Sequence, residues 1–200
     1  MQTQTGAVSA SIPKNVITNP DFRFWRTDTR AIVGAVLLAV CFTVNMQLTE
    51  RIDTALSGGV IYWFGTTFCN IWFASAVIYF GMTGGLLAAN FNPIIAVLTA
   101  TSPMAPRFFL DNSLWVVPTA FMAAHYFKSR GYIDFKSFFL IILVGVFADS
   151  LAFVASWVIL FKFSPLVILG LWALMMTTVI PGSIMAWGFC RVVSKSGVVG

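Results

Sequence analysis

The sequence predicts an all-α integral membrane protein, a bundle of about six transmembrane helices with both termini in the cytoplasm. Of its 200 residues, 58% are hydrophobic and only 10% are charged, whereas soluble domains carry roughly 25% charged residues. The mean hydropathy is +0.87, and each membrane crossing needs about 20 apolar residues. The chain therefore has room for about six crossings and for no separate soluble domain.

Polar stretches divide the chain into three parts. Residues 1–29 are rich in Thr, Ser, Asn and Pro, which predicts a mobile cytoplasmic arm with no cleaved signal. The membrane domain covers residues 30–193, and residues 194–200 form a basic cytoplasmic tail. Within the membrane domain, the apolar runs predict spans at 31–48, 60–80, 86–100, 113–127, 137–161 and 166–193.

Glycine, proline and charge clusters predict the breaks between the spans. TERIDTALSGG (49–59) is charged and glycine-rich and predicts the longest outer loop, whereas GMTGG (81–85) is short and uncharged and predicts a tight turn. Pro93 predicts a kink in the third span, because proline cannot donate a helical hydrogen bond. Pro181 and Gly182 predict a break within the last span.

Basic residues are distributed unequally between the predicted loops, which sets the orientation. With the N-terminus inside, three basic residues lie outside, namely Arg51, Arg107 and Lys162. Nine lie inside, namely Lys14, Arg23, Arg26, Arg30, Lys128, Arg130, Lys136, Arg191 and Lys195. The bias predicts that both termini are cytoplasmic.

Several function classes are disfavoured. The sequence has no HExxH, no complete GxSxG site and no Walker-type glycine loop, so neither an enzyme nor a cofactor is predicted. The basic residues flank apolar runs, where anionic lipid explains them better than nucleic acid does. The three cysteines are isolated, and His125 has no second ligand at helical spacing, so no metal site is predicted.

Asp149 is the carboxylate predicted to lie deepest in the membrane. It falls about twelve residues into the fifth span, where a charge facing lipid would cost at least about 2.5 kcal/mol. It must face the bundle interior, a water-filled pocket or a partner, as a ligand or proton site or as a structural group bonded to Ser150, Asn90 or Asn92. Asn90 and Asn92 differ by about 200° around a helix, so one of them is expected to pack structurally.

Two other patterns leave alternatives open. Ala31, Ala35 and Ala39 recur at a spacing of four and form one stripe, called here the alanine stripe, which permits close helix packing. The partner of this stripe is either the chain's own bundle or another subunit. The tryptophans near the predicted outer boundary suit interfacial anchoring or stacking on a planar ligand.

The chain resembles the substrate-binding S-components of energy-coupling factor vitamin transporters in three places. The alanine stripe is similar to the small-residue motif by which the first helix of that family docks on a scaffold subunit. GMTGGLLAANFNPIIAVLTATSP (81–103) is similar to a glycine-marked turn, and TTVIPGSIMAWGFCRVVSKSG (177–197) to a final Pro-Gly helix with a basic tail. Within the family, GVIYWF (59–64) looks most like the thiamine-precursor branch.

This resemblance implies a function and a set of partners. It implies a binding subunit for uptake of a small water-soluble vitamin or precursor, in a prokaryotic plasma membrane, energised by a transmembrane scaffold subunit and two ATPase subunits. The alternatives are a self-sufficient proton-coupled transporter with Asp149 as carrier, or a non-transport assembly or anchoring subunit.

The resemblance also implies a pocket in the outer half, closed by the loops 49–59, 101–112 and 161–164. Its expected ligand-binding residues are Asn45, Glu50, Trp63, Asp111, Trp115, Asp149 and Trp157.

Overall fold

The computed structural model describes residues 13–100 and 105–196, and most of them are helical. The helices are α1 (Thr29–Ser57), α2 (Trp63–Thr99), α3 (Phe108–Arg130), α4 (Phe135–Ile159), α5 (Pro165–Met176) and α6 (Val179–Lys195). Two short antiparallel strands are β1 (Val16–Thr18) and β2 (Tyr132–Asp134), and a 3-10 turn (Ala105–Arg107) precedes α3.

The described residues include four stretches that are long and apolar enough to cross a membrane. They are α1, α2, α4 and the stretch Pro165–Lys195, which contains α5 and α6. The outward faces are apolar as well, since α1 leaves Leu37, Val44 and Leu48 exposed by 62–68%. Such surfaces are unfavourable in water but are matched by lipid tails. The protein is therefore a multi-pass membrane protein.

α2 doubles back on itself at Gly81. This residue has φ +66°, which is outside the helical region. A Cβ built on Gly85 would lie 2.8 Å from Cγ2 of Val77, although eight residues of straight helix would separate these positions by about 12 Å. The two halves, 63–80 and 82–99, therefore run side by side in opposite directions, and the tight turn predicted in this region is reduced to one non-helical residue.

A short N-terminal segment covers the reversal. Because the helix is interrupted at Gly81, the carbonyl groups of the preceding turn lose their helical partners. The side chain of Asn19 donates to the carbonyl oxygen of Ile78 (2.8 Å), and Nη1 of Arg26 donates to that of Tyr79 (3.1 Å). These bonds stabilise the end of the first half of α2.

Residues 13–28 are thus folded against the bundle, which corrects the prediction of a mobile arm in this part of the chain. β1 pairs with β2 here, and Asp28 caps α1 by accepting a hydrogen bond from the Ala31 N–H (3.0 Å). The bond from Arg26 and this capping bond hold the pKa of Asp28 below its ordinary value. The rest of the predicted arm, residues 1–12, lies outside the described residues, as do residues 197–200 of the predicted tail.

The region after the first predicted span is helical, not a loop. α1 continues to Ser57 and ends at Gly58, which adopts the left-handed conformation common at helix ends. Asp53 is buried and its carboxylate accepts hydrogen bonds from the backbone N–H groups of Phe64 (3.1 Å) and Gly65 (2.7 Å). The acidic residue therefore caps the start of α2 and is not solvated as the loop prediction required.

Two further boundaries differ from the prediction. The last span breaks at Thr177 and Thr178, because Pro181 lies in the first turn of α6, where its missing N–H is not needed. α3 begins at Phe108, so the predicted closing loop 101–112 is partly helical. Residues 101–104 of that loop lie outside the described residues.

The alanine stripe packs within the chain's own bundle. Ala31, Ala35 and Ala39 are each exposed by 1% or less, and Ala39 clusters with Ala76 and Ala88 of α2. The small side chains allow α1 and α2 to approach closely. Of the two partners left open for the stripe, α2 is the one that covers it, so the stripe offers no free surface to another subunit in this structure.

We predict that Gly81→Ala lowers the free energy of unfolding by more than about 2 kcal/mol. An added Cβ would be strained at positive φ and would also lie 2.4 Å and 2.5 Å from the carbonyl oxygens of Arg23 and Phe24. Gly58→Ala is the matched control, because Gly58 has φ +65° but no atom within 4 Å of the added Cβ, so it bears only the left-handed cost of about 1–2 kcal/mol. Unfolding in detergent by denaturant measures both, and equal costs would contradict the close packing at Gly81.

Candidate functional site

A small, partly open cavity lies at the end of the bundle opposite Gly81, called here the far end. Its volume is about 30 Å³, room for one or two water molecules. The lining residues are Met46, Glu50, Tyr62, Gly65, Thr66, Cys69, Asn92, Phe108, Asp111, Asn112, Asp149 and Phe153.

Three carboxyl groups from three different helices meet at this cavity. Glu50 comes from α1, Asp111 from α3 and Asp149 from α4, and their exposed fractions are 0%, 1% and 5%. Isolated carboxylates are rarely buried, because leaving water costs several kcal/mol unless a partner compensates. Their convergence makes the cavity a candidate functional site.

Arg107 pairs with one of these carboxyl groups, and the side-chain amide of Asn92 pairs with another. Nε of Arg107 lies 2.7 Å from Oδ2 of Asp111 in an i,i+4 ion pair, and the Arg107 guanidinium lies 3.8 Å from the centre of the Phe153 ring. Nδ2 of Asn92 donates to Oε1 of Glu50 (2.9 Å). Among the described residues, no hydrogen bond to the Asp149 carboxylate is found.

Several buried acceptors around the cavity remain unpaired. Within the described part of the chain, Oε2 of Glu50, Oδ1 of Asn92 and Oδ1 of Asp111 have no hydrogen-bond partner. A buried acceptor without a donor costs about 1–3 kcal/mol. The cavity therefore contains unpaired hydrogen-bond acceptors, which a molecule with donor groups would pair with.

Pro93 accounts for the position of Asn112, another residue that lines the cavity. Pro93 has no N–H, so it leaves the carbonyl oxygen of Ala89, four residues earlier, without its helical donor. Nδ2 of Asn112 donates to that oxygen (2.7 Å). The bond fastens α3 to the second half of α2, and it holds the helix on which Asn92 lies beside the helix that carries Asp111.

The predicted site residues divide into two groups. Glu50, Asp111 and Asp149 line the cavity, whereas the other four do not contribute to its lining. Those four are Asn45, Trp63, Trp115 and Trp157.

The tryptophans outside the lining have structural partners. Trp115 and Trp157 are fully buried and donate their indole N–H groups to Oδ1 of Asn70 (3.0 Å) and to the carbonyl oxygen of Val60 (2.9 Å). The indole of Trp63 donates to the hydroxyl of Thr177 (2.8 Å). Asn45 is half-buried, and its Oδ1 has no partner among the described residues.

Sequence reasoning missed much of the lining. Asn92 faces the cavity, while Asn90 bonds to Ser113 (3.2 Å), so the predicted division between the two asparagines holds, with Asn92 at the site. The spacing of Arg107 and Asp111 was a readable signal for an ion pair. No sequence signal identified the aromatic wall, which consists of Tyr62, Phe108 and Phe153.

This arrangement does not indicate a metal centre. No group of three or more His, Cys, Asp or Glu side chains placed to hold a metal ion is found among residues 13–100 and 105–196. The site offers hydrogen-bond acceptors, one guanidinium and aromatic faces, which can bind and orient a small polar molecule.

Comparison with known proteins identifies a fold. No family model matches the sequence, and no curated protein matches it. The chain is similar to a solved structure described as the crystal structure of an S-component of ECF transporter, with a TM-score of 0.54 and 14% identity. The similarity covers 86% of this chain and 85% of the other, so the two share a fold over most of their length.

We predict that the Asn112 bond matters only because of Pro93. Asn112→Ala should lower the free energy of unfolding by about 1–2 kcal/mol, since it leaves the Ala89 carbonyl oxygen unpaired. In a Pro93→Ala background the N–H restored at position 93 bonds to this oxygen, and the same substitution should cost less than half as much. A double-mutant cycle in detergent measures the coupling, and equal costs in both backgrounds would show that the two residues act independently.

Proposed function

We propose that this chain is the membrane-embedded substrate-binding subunit of an uptake system for a small water-soluble molecule of the vitamin or vitamin-precursor class. The observation that carries the proposal is the small cavity at the far end, with three buried carboxyl groups and unpaired acceptors. A purely structural interior would leave few such groups without partners. The fold shared with an S-component supports the same conclusion.

The proposal includes six membrane crossings. The reversal at Gly81 turns α2 into two crossings, and α1, α3, α4 and the pair α5 and α6 add four more. An even number of crossings returns the chain to the side from which it started. The basic residues near residues 13–28 then lie in the cytoplasm, and the cavity opens towards the outside.

Energy for uptake is proposed to come from partner subunits, a transmembrane scaffold and two ATPases. The solved structure that shares this fold is described as a component of an ECF transporter, and this description is the support for the partners. Because Ala31, Ala35 and Ala39 are buried within this chain, the proposal places the contact surface for these partners elsewhere on it.

A proton-coupled transporter is a second candidate, because Asp149 is buried and has no hydrogen bond from the described residues. A carboxyl group of this kind can carry a proton across a membrane. Uptake that collapses with the proton gradient while cellular ATP is maintained would favour this candidate over the ATPase-driven one.

The orientation can be tested by labelling single cysteines introduced at exposed positions in a chain that lacks its native cysteines. We predict that a membrane-impermeant thiol reagent added to intact cells labels Ser164→Cys, between α4 and α5, and that it labels Ser129→Cys, at the end of α3, only after the cells are broken. Both side chains are exposed. Labelling of Ser129→Cys in intact cells would reverse the proposed topology.

Binding can be tested with the neighbouring pair Asn92 and Asn90. We predict that mass spectrometry under non-denaturing conditions detects a small molecule retained by the purified protein, and that Asn92→Ala reduces its occupancy at least tenfold. Asn90→Ala is the matched control, because Asn90 lies on the same helix but bonds to Ser113 outside the cavity lining. Equal occupancy in the two variants, or no molecule in any folded preparation, would count against a binding subunit.

A further inference from the structure

We infer that the cavity binds a small organic cation with N–H donors. Until this cation binds, the Arg107 side chain occupies part of the cation's position. The inference rests on the proposed function and names the substrate class of the same site. The observations behind it are the charge balance of the cavity, the identity of its unpaired atoms and the position of Arg107.

The charge balance favours a cation. Glu50, Asp111 and Asp149 supply three carboxyl groups, and Arg107 is the only basic side chain paired with any of them among the described residues. Buried carboxylates without a compensating charge are strongly unfavourable. A bound cation supplies compensating charge for these groups, whereas a bound anion would increase the deficit.

The unpaired atoms lining the cavity also favour donor groups. Glu50, Asn92 and Asp111 each have one buried oxygen without a partner, and all three oxygens are acceptors. Asn92 gives evidence independent of the acids, because it is neutral and 1% exposed, and its Nδ2 is already engaged with Glu50. Only its Oδ1 remains for a molecule in the cavity, and that oxygen requires a donor.

Arg107 already makes the contacts that an organic cation would make. Its guanidinium pairs with Asp111 and lies 3.8 Å from the Phe153 ring centre, a combination of carboxylate and aromatic face typical of cation recognition. The pairing is incomplete, because Nη2 of Arg107 is buried without a partner. Arg107 is the N-cap residue of α3, and rotation of its long side chain moves the guanidinium without moving the helix backbone.

The cavity is too small for an organic molecule while the Arg107 guanidinium is in place. At about 30 Å³ it holds one or two water molecules and no organic molecule. Removal of the Arg107 guanidinium would enlarge the cavity and free both Asp111 and the Phe153 face. A cation from outside can therefore replace Arg107 with little change in the charge of the site.

The test compares two small probes of the same shape, methylguanidinium, which is charged, and N-methylurea, which is neutral. Their binding to the purified full chain in detergent is measured by the rise in the unfolding temperature with probe concentration. The wild type should bind methylguanidinium, and Arg107→Gln should bind it at least tenfold more tightly because the internal competitor is gone. Asp149→Asn should bind it at least tenfold more weakly than the wild type, and N-methylurea should not bind measurably to any of the three.

Arg107→Lys provides a second variant if Arg107→Gln does not fold. Lysine keeps the charge near Asp111 but loses the planar group that lies on Phe153, so this variant should bind methylguanidinium more tightly than the wild type. Equal binding of the two probes, or unchanged or weaker methylguanidinium binding in the folded Arg107 variants, would overturn the inference.

The retained molecule separates this inference from the proposed function. A cation found in the purified wild type supports both. A neutral or anionic molecule whose occupancy depends on Asn92 overturns the cation inference and leaves the binding subunit intact. The absence of any retained molecule, together with no binding of either probe, overturns both.

Discussion

Backbone groups that are buried where a helix is interrupted must find partners within the protein, and the architecture of this chain depends on how that requirement is met at Gly81. The reversal there interrupts the hydrogen-bond ladder of α2 in the membrane-embedded bundle. Side chains from residues 13–28 supply the missing donors, notably Asn19 and Arg26. These donors stabilise the arrangement in which the two halves of α2 lie side by side and form the surface on which α1 and α3 pack.

The same requirement builds the walls of the cavity. Pro93 interrupts the second half of α2, and Asn112 of α3 supplies the replacement donor. Asp53 near the end of α1 caps the start of α2. Each of these bonds joins two elements at the far end, so the repair of a local defect also fixes the relative positions of the helices that carry Glu50 and Asp111.

The cavity differs from these repaired helix breaks. Glu50, Asn92 and Asp111 each retain one unpaired oxygen there, whereas donors are supplied to the helix breaks at Gly81 and Pro93. Unpaired polar groups in an apolar environment are costly and are characteristic of binding sites. The contrast between the repaired reversal and the unpaired cavity supports the proposal that the far end binds the substrate.

Hydropathy, proline and glycine in the sequence were sufficient to determine a helical membrane protein, the turn in α2 and the burial of Asp149, because these are local properties that add along the chain. The face that each helix presents was decided only by tertiary structure. Asn92 rather than Asn90 lies at the cavity, and α2 covers the alanine stripe. Glu50 is buried on a helix in a segment predicted to be a loop. Trp115 and Trp157 make structural hydrogen bonds. The reason is that the rotation of a helix about its axis depends on the shapes of all its neighbours. In a chain whose helices are apolar on nearly every side, hydrophobic periodicity carries little information about that rotation.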